Sequence, residues 1–263
     1  MQGLQIVNLE LPDLALAYGL VLLAAGLARL RHNGQEWKIL WASLRMVVQL
    51  LAMGYLLHFV FAIKSPLPVL AILLVMGGFS LQVMGGHVKQ KMPHFYRVVS
   101  CAIFIGCGGA TFLFCSVIVG NTPWWDPRYL IPMAGMIIGN SMNGASLAAE
   151  RLCSEMSGRR EEMEAALCLG ASSRQAAEAA LGQAFRAALM TNVNNMAAMG
   201  VVMLPGMMTG QILAGIEPVV AVRYQIAIMC AITGSVSVTS YLILILGYRH
   251  YFSDAHQLKM GEA

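Results

Sequence analysis

Charge is missing from this chain over lengths that a water-soluble fold does not tolerate. No Asp, Glu, Lys or Arg occurs from Ser65 to Val88, from Val98 to Trp125, from Tyr129 to Ala149, from Ala187 to Ile216, or from Tyr224 to Tyr248. A helix needs roughly 20 apolar residues to cross the hydrocarbon of a bilayer, and each of these runs reaches that length. Two further apolar stretches qualify: Leu11 to Ala28 with Asp13 at its edge, and Trp37 to Ile63 with Lys38 at its edge and Arg45 within it. Only 11% of the residues are charged, against about 25% in soluble domains. The expected fold class is therefore all-α, a polytopic helical membrane protein. It has about seven transmembrane helices, at 11–28, 38–62, 67–86, 98–120, 129–149, 192–215 and 224–247, in one domain over 1–263. The sixth run is too long for one crossing. Its Leu204-Pro205-Gly206 predicts a helix broken or kinked there, with the remainder re-entering or lying in the interface.

Lys and Arg set the orientation. With the N-terminus outside, the inner segments hold 13 of them and the outer segments hold Lys64, Arg128 and Arg223. The bias predicts N-out, C-in. It also accounts for the net charge of +4 without a nucleic-acid partner. The first span lacks the basic leader of a signal peptide, its early charges being Glu10 and Asp13, so it is expected to be retained. None of the six cysteines falls in an outer loop, so no disulfide framework is expected.

The connection over 150–186 is the only long polar one, an expected cytoplasmic insert between the fifth and sixth spans. A first helix is predicted from Ser157 to Leu169, with Glu161, Glu162 and Glu164 near the positive end of its dipole. Met163, Ala166, Leu167 and Gly170 recur at helical spacing as a narrow apolar stripe. Gly170 is placed for a left-handed cap. Ser172-Ser173-Arg174-Gln175 reads as a capping box opening a second helix that continues toward the sixth span. The stripe suits a closely approaching partner, or equally the lipid interface or the protein's own inner ends.

Polar groups within spans usually face a bundle interior. Arg45 and Gln49 share a helix face at i, i+4. Arg45 is placed either to snorkel to lipid phosphate or to pair inside the bundle. Asn140, Asn143, Asn192, Asn194 and Asn195 are suited to bridging helices. Methionine is abundant, at 19, with Met133, Met136 and Met142 in the fifth span and Met199, Met203, Met207 and Met208 in the sixth. Such stripes serve mainly as packing, although thioether sulfur is also a soft metal ligand. For iron, oxygen donors such as Glu217 and Asn140, or passage in a chelated form, are expected instead. No His/Cys/Asp/Glu cluster has metal-ligand spacing, and His32, His58, His87 and His94 read as surface residues. No paired acids lie at membrane depth, which disfavours an intramembrane enzyme. A receptor or scaffold would not require the insert.

Two features resemble known sequences. Glu164-Ala165-Ala166-x-x-x-Gly170 is similar to the coupling-loop signature of ABC-transporter permeases. Over Trp41 to Tyr251 the chain resembles the FetB-type family of bacterial permeases associated with iron export. The residues that carry this are Leu44-Arg45-x-x-x-Gln49-Leu50, Ile131-Pro132-x-Ala134-Gly135-Met136-Ile137-x-Gly139-Asn140-Ser141-Met142, and Leu204-Pro205-Gly206-Met207-Met208-Thr209-Gly210-x-Ile212-x-Ala214-Gly215-Ile216-x-Pro218, followed by Tyr224-Gln225-Ile226. The resemblance implies a non-catalytic permease subunit in the bacterial inner membrane. It implies a homodimer paired with a separate ABC ATPase that holds ATP and Mg²⁺, no cofactor on this chain, and a link to oxidative stress. Related plant half-transporters are linked to aluminium tolerance, so another metal or a nucleotide sugar remains an alternative cargo. The chain has no Gly-x-x-x-x-Gly-Lys-Ser/Thr loop of its own. The expected coupling residues are Met163, Glu164, Ala165, Ala166, Leu167 and Gly170. Those expected along the substrate path are Arg45, Gln49, Met136, Asn140, Pro205 and Gly206, with Met207 and Met208 as metal donors.

Overall fold

The computed structural model describes residues 10–30, 34, 36–63, 65–87, 94–253, 255 and 257–259. The expectations for Arg31, His32, Lys64, Lys89 and Lys91, and for the side chain of His87, lie outside the described residues. Among the described residues there is no strand. The helices are α1 (Leu11–Leu30), α2 (Glu36–Ala62), α3 (Pro66–His87), α4 (Phe95–Ile103), α5 (Gly109–Leu113), α6 (Pro127–Gly158), α7 (Arg160–Cys168), α8 (Ser173–Ala198), α9 (Gly206–Leu213) and α10 (Pro218–Gly247). Two compact units form: residues 1–64 with Leu213–Gly215, and the rest of the chain.

In the first unit α1 packs on α2. The Ser43 hydroxyl donates to the Leu40 carbonyl at 2.9 Å, so the Tyr18 hydroxyl, 2.8 Å away, donates to Ser43. In the second unit α6 is central, packed against α3, α8 and α10. Close approach there is set by small residues. A Cβ at Gly144 would lie 2.5 Å from Val236 Cγ1 and 3.2 Å from the Ala188 carbonyl oxygen, so α8 and α10 both close on α6 at this glycine.

Among the described residues five helices are long and apolar enough to cross a membrane: Pro12–Leu30, Glu36–Ala62, Pro66–Gly86, Phe95–Ile118 and Pro218–Tyr251. The expected fifth and sixth spans fall on α6 and α8–α9, whose polar content (Asn140, Ser141, Asn143, Asn192, Asn194) keeps them below that mark. The fourth span is also less regular than a plain helix. Its α4 and α5 alternate with π-helical turns at Phe104–Gly108 and Phe114–Ile118.

Three boundaries differ from expectation. The insert does not begin with a break at Glu150: α6 continues for 32 residues to Gly158, because Arg151 and Glu155 (2.9 Å) pair along it as an i, i+4 ion pair. The first insert helix starts at Arg160 instead of Ser157, after a corner at Arg159 (φ −108°, ψ 25°). The sixth run is broken, but the break begins at Met199, ahead of the expected Leu204-Pro205-Gly206, and runs over 199–205. Met199 turns extended (φ −67°, ψ 135°), Gly200 takes a positive φ of 87°, and its N–H closes a turn onto the Met203 carbonyl at 2.9 Å. Pro205 then stands ahead of α9, where its missing N–H costs nothing. Its carbonyl accepts from the Thr209 N–H and hydroxyl, both at 3.0 Å.

Candidate functional site

The insert is held at both ends by chemistry its sequence specifies. At the first corner the partly buried Glu155 carboxylate accepts from Arg159 Nε at 2.7 Å and pairs with Arg151, while Arg159 also reaches Glu162 at 3.2 Å. The Glu155 hydrogen bond, with the Glu162 and Glu155 charges, pushes the Arg159 guanidinium further above its already high range. At the second corner the Gly170 N–H bonds the Leu167 carbonyl and the Ala171 N–H bonds the Ala166 carbonyl, each at 3.0 Å. Gly170 has φ +90°. This is a Schellman end, and it needs a residue that adopts the left-handed region without penalty. The capping box closes immediately after it. Ser172 Oγ accepts from the Gln175 N–H at 3.4 Å, and Gln175 Oε1 accepts from the Ser172 N–H at 2.9 Å. The predicted cap and box are both present.

α7 packs against α8 and buries Met163 at 2% exposure. The apolar stripe begun by Met163 thus faces the protein's own helix. Ala166 and Leu167 are half-buried, while Ala165 and Gly170 are exposed. Glu164 is about half exposed and pairs with Arg160 at 2.7 Å. Leu169, which the sequence reading did not single out, is 90% exposed at the tip of the corner. A signal existed: an apolar residue directly before a capping glycine lies beyond the last helical contact and has nothing of its own chain to cover it.

The expected path residues are distributed across both units. Arg45 and Gln49 lie exposed on α2 in the first unit. In the second, Met136 and Asn140 are half-buried on α6, and the Asn140 amide donates to the Met136 carbonyl at 2.8 Å. That donor is therefore spent on its own helix. Pro205, Met207 and Met208 are half-buried and Gly206 is exposed, around the start of α9. Among the described residues no three His, Cys, Asp or Glu side chains converge as they would on a metal ion.

A seam of polar groups that sequence reasoning missed runs through the second unit along α10. Gln225 Nε2 donates to Met199 Sδ at 3.8 Å, and the Thr233 hydroxyl, which donates to the Met229 carbonyl at 2.9 Å, lies 3.4 Å from Met196 Sδ. Ser141 and Ser235 hydroxyls meet at 2.8 Å between α6 and α10, and Thr239 lies 3.9 Å from Cys107 Sγ. Gln225 Oε1 and Ser240 Oγ are buried without a hydrogen-bond partner among the described residues. Gln225, Ile232 and Thr239 recur every seven residues, with Ile228 and Ser235 between them, all buried. That period marks the packed face of α10, and it was readable.

Comparison with known proteins agrees with this architecture. Residues 11–252 match a family described as an uncharacterised protein family, UPF0014. The chain is 36% identical to the UPF0014 membrane protein slr1647 of Synechocystis, over 96% of this chain and 98% of that protein. It is 34% identical to the UPF0014 membrane protein YjkA of Bacillus subtilis, over 95% and 98%. It is 30% identical to the probable iron export permease protein FetB of Escherichia coli, over 95% of each. No solved structure matches. The chain belongs to the UPF0014 family of membrane proteins and is a homologue of the E. coli protein described as probable iron export permease protein FetB.

Proposed function

We propose that this chain is the non-catalytic membrane subunit of an ABC exporter for iron or a related metal species, working as a homodimer in the bacterial inner membrane. ATP and Mg²⁺ are held by a separate ATPase subunit. In this reading the chain is N-out and C-in with seven crossings, α6 and α8 supplying the fifth and sixth. The likeness to FetB supports the cargo class. The observation that carries the coupling role is the α7 corner: a short helix fixed by a charge network at one end and a Schellman end plus capping box at the other. It offers an exposed leucine at its tip. A rigid projection of this kind transmits a push, whereas a flexible loop would absorb it.

Leu169 is the apolar anchor for a groove on the ATPase, with Glu164, Ala165 and Arg160 around it; Met163 holds the helix to α8. The path for cargo runs past Met136, Asn140 and the break at Pro205 and Gly206, with the Met207 and Met208 sulfurs as soft donors. Arg45 and Gln49 lie exposed, one helical turn apart, on α2 of the first unit.

Two experiments test this. Cells lacking the gene should accumulate iron under iron load, and wild-type protein should restore export; unchanged metal content would refute the cargo class. Leu169→Asp, at a residue 90% exposed, should leave membrane insertion intact. It should weaken co-purification of the ATPase by on the order of tenfold or more, the usual cost of losing an interface anchor. Full ATPase association with Leu169→Asp, and with Glu164→Arg plus Ala165→Arg, would remove the coupling assignment.

A further inference from the structure

A cavity of about 440 Å³ opens between α6 and α8, lined by Leu147, Glu150, Arg151 and Ser154 from one helix and by Gln183, Arg186, Ala187 and Met190 from the other. Its polarity is graded along the helices. α6 runs toward the insert and α8 runs away from it, so Leu147, Ala187 and Met190 occupy the end farther from the insert. Glu150, Arg151, Ser154, Gln183 and Arg186 occupy the end nearer to it. Arg151 is engaged by Glu155 at 2.9 Å. Glu150 and Arg186 form no hydrogen bond or ion pair among the described residues, and both are exposed. One end thus holds an anionic and a cationic group without partners, and the other is apolar.

We propose that this groove is a binding site for a phosphatidylethanolamine molecule of the membrane leaflet on the insert side. The phosphate sits on the Arg186 guanidinium, which makes planar, charge-assisted hydrogen bonds to phosphate oxygens. The primary ammonium sits on the Glu150 carboxylate, and the acyl chains start over Leu147, Ala187 and Met190. Complementarity selects this headgroup. A purely anionic headgroup leaves Glu150 repelled, and a quaternary choline has no N–H to donate to it. A lipid, and not a free phosphoamine, is the occupant because the polar end is continuous with an apolar one. The site joins the two helices that flank α7, so its occupancy ties lipid composition to the insert. The proposal rests on the membrane placement of α6 and α8 given above, but its test uses neither ATPase nor cargo, so the two fail separately.

The test is native mass spectrometry of the full chain released from nanodiscs of equal phosphatidylethanolamine, phosphatidylglycerol and phosphatidylcholine. Retained phosphatidylethanolamine should be enriched over both others. Arg186→Gln should reduce total retained phospholipid by about fivefold, the scale of one basic residue at a membrane surface. Glu150→Gln should erase the preference for ethanolamine over choline while keeping retention. Arg174→Gln removes the same charge earlier on α8, outside the groove, and should change neither. Failure of ethanolamine enrichment, preference for phosphatidylglycerol, or an equal loss with Arg174→Gln would overturn the proposal. So would displacement of the lipid by soluble phosphoethanolamine. Dissociation of a dimer by Arg186→Gln would reassign the groove to a second copy of the chain.

Discussion

Two regions of equal greasiness behave oppositely. In α1 and α2 only 6% of the most apolar stretch is buried, whereas in α10 the figure is 50%. The exposed side chains of the first unit are large: Leu16, Leu20, Trp37, Leu50, Tyr55 and Phe59 all stand more than 60% exposed. Where helices close on one another in the second unit the side chains are small or hydroxylic: Gly144, Ala145, Ala148, Ala188, Ser141, Ser235 and Ser240. In a membrane the apolar residue is the default for facing lipid, and proximity of backbones needs small residues with polar groups paired across helices. Hydropathy therefore locates membrane helices here without saying which of them form the core; residue size does that.

The sharpest way to break this contrast is glycine substitution. Gly144→Leu forces a side chain into Val236 and the Ala188 carbonyl and should cost about 3 kcal/mol or more, read as a lowered melting temperature in detergent. Gly54→Leu on α2, with nothing within 4 Å of its Cβ position, should be neutral or stabilise by up to about 1 kcal/mol through helix propensity. Equal effects would erase the distinction.

Hydroxyl pairs give a smaller version of the same test. Ser235→Ala strands the buried Ser141 hydroxyl and should cost about 1–3 kcal/mol. Tyr18→Phe leaves Ser43 still bonded to Leu40 and should cost about 0.5 kcal/mol, both measured by the same melting assay.

Thiol reactivity sharpens it at the insert, with no stability change expected. Cys168 is exposed on α7 and Cys153 is buried on α6. Burial pushes the Cys153 thiol above its ordinary range, against the smaller opposing effect of the Tyr251 hydroxyl that donates to its sulfur at 3.0 Å. A raised pKa means less thiolate at any given pH. In variants keeping one cysteine each, Cys153 should thus alkylate at least about tenfold more slowly than Cys168 at pH 7.5, and its rate should begin to climb at higher pH. Matching rates would contradict the burial. The Cys168 variant also reads orientation: an impermeant reagent should reach it in opened cells and not in intact ones.

What the sequence made legible follows from locality. The Gly170 cap and the Ser172–Gln175 box are decided by residues within one turn, and both stand where the pattern placed them. So were the charge-free runs that became α3 and α10. What escaped notice depends on partners distant in sequence. The π turns around Cys107 and Cys115 fall in a span with no proline or charge to announce them. The seam of Gln225, Ser235 and Thr239 becomes meaningful only once α6 and α8 supply Ser141, Met196 and Met199. The break at 199–205 starts earlier than expected because Pro205 is the stronger helix breaker by eye, while Gly200, a left-handed glycine after the helix end like Gly170, is the residue that forms the turn. Continuity of α6 past Glu150 was missed for a related reason. Charge there was taken as the end of the span, yet i, i+4 ion pairs sustain a helix in water as apolar contacts do in lipid.

That continuity has a mechanical consequence. A helix of 32 residues is about 48 Å long, against about 30 Å of hydrocarbon. Its proline, Pro132, lies near the end away from the insert, so most of the rod has no joint in it. It works as a lever: a tilt of about 10° about Gly144 sweeps the end away from the insert through about 4 Å. The fixed corner at Arg159 is the handle, and Gly144, where three helices touch, is the nearest thing to a fulcrum. A small stroke at one end of such a rod is returned as a comparable stroke at the other, without any spring in between.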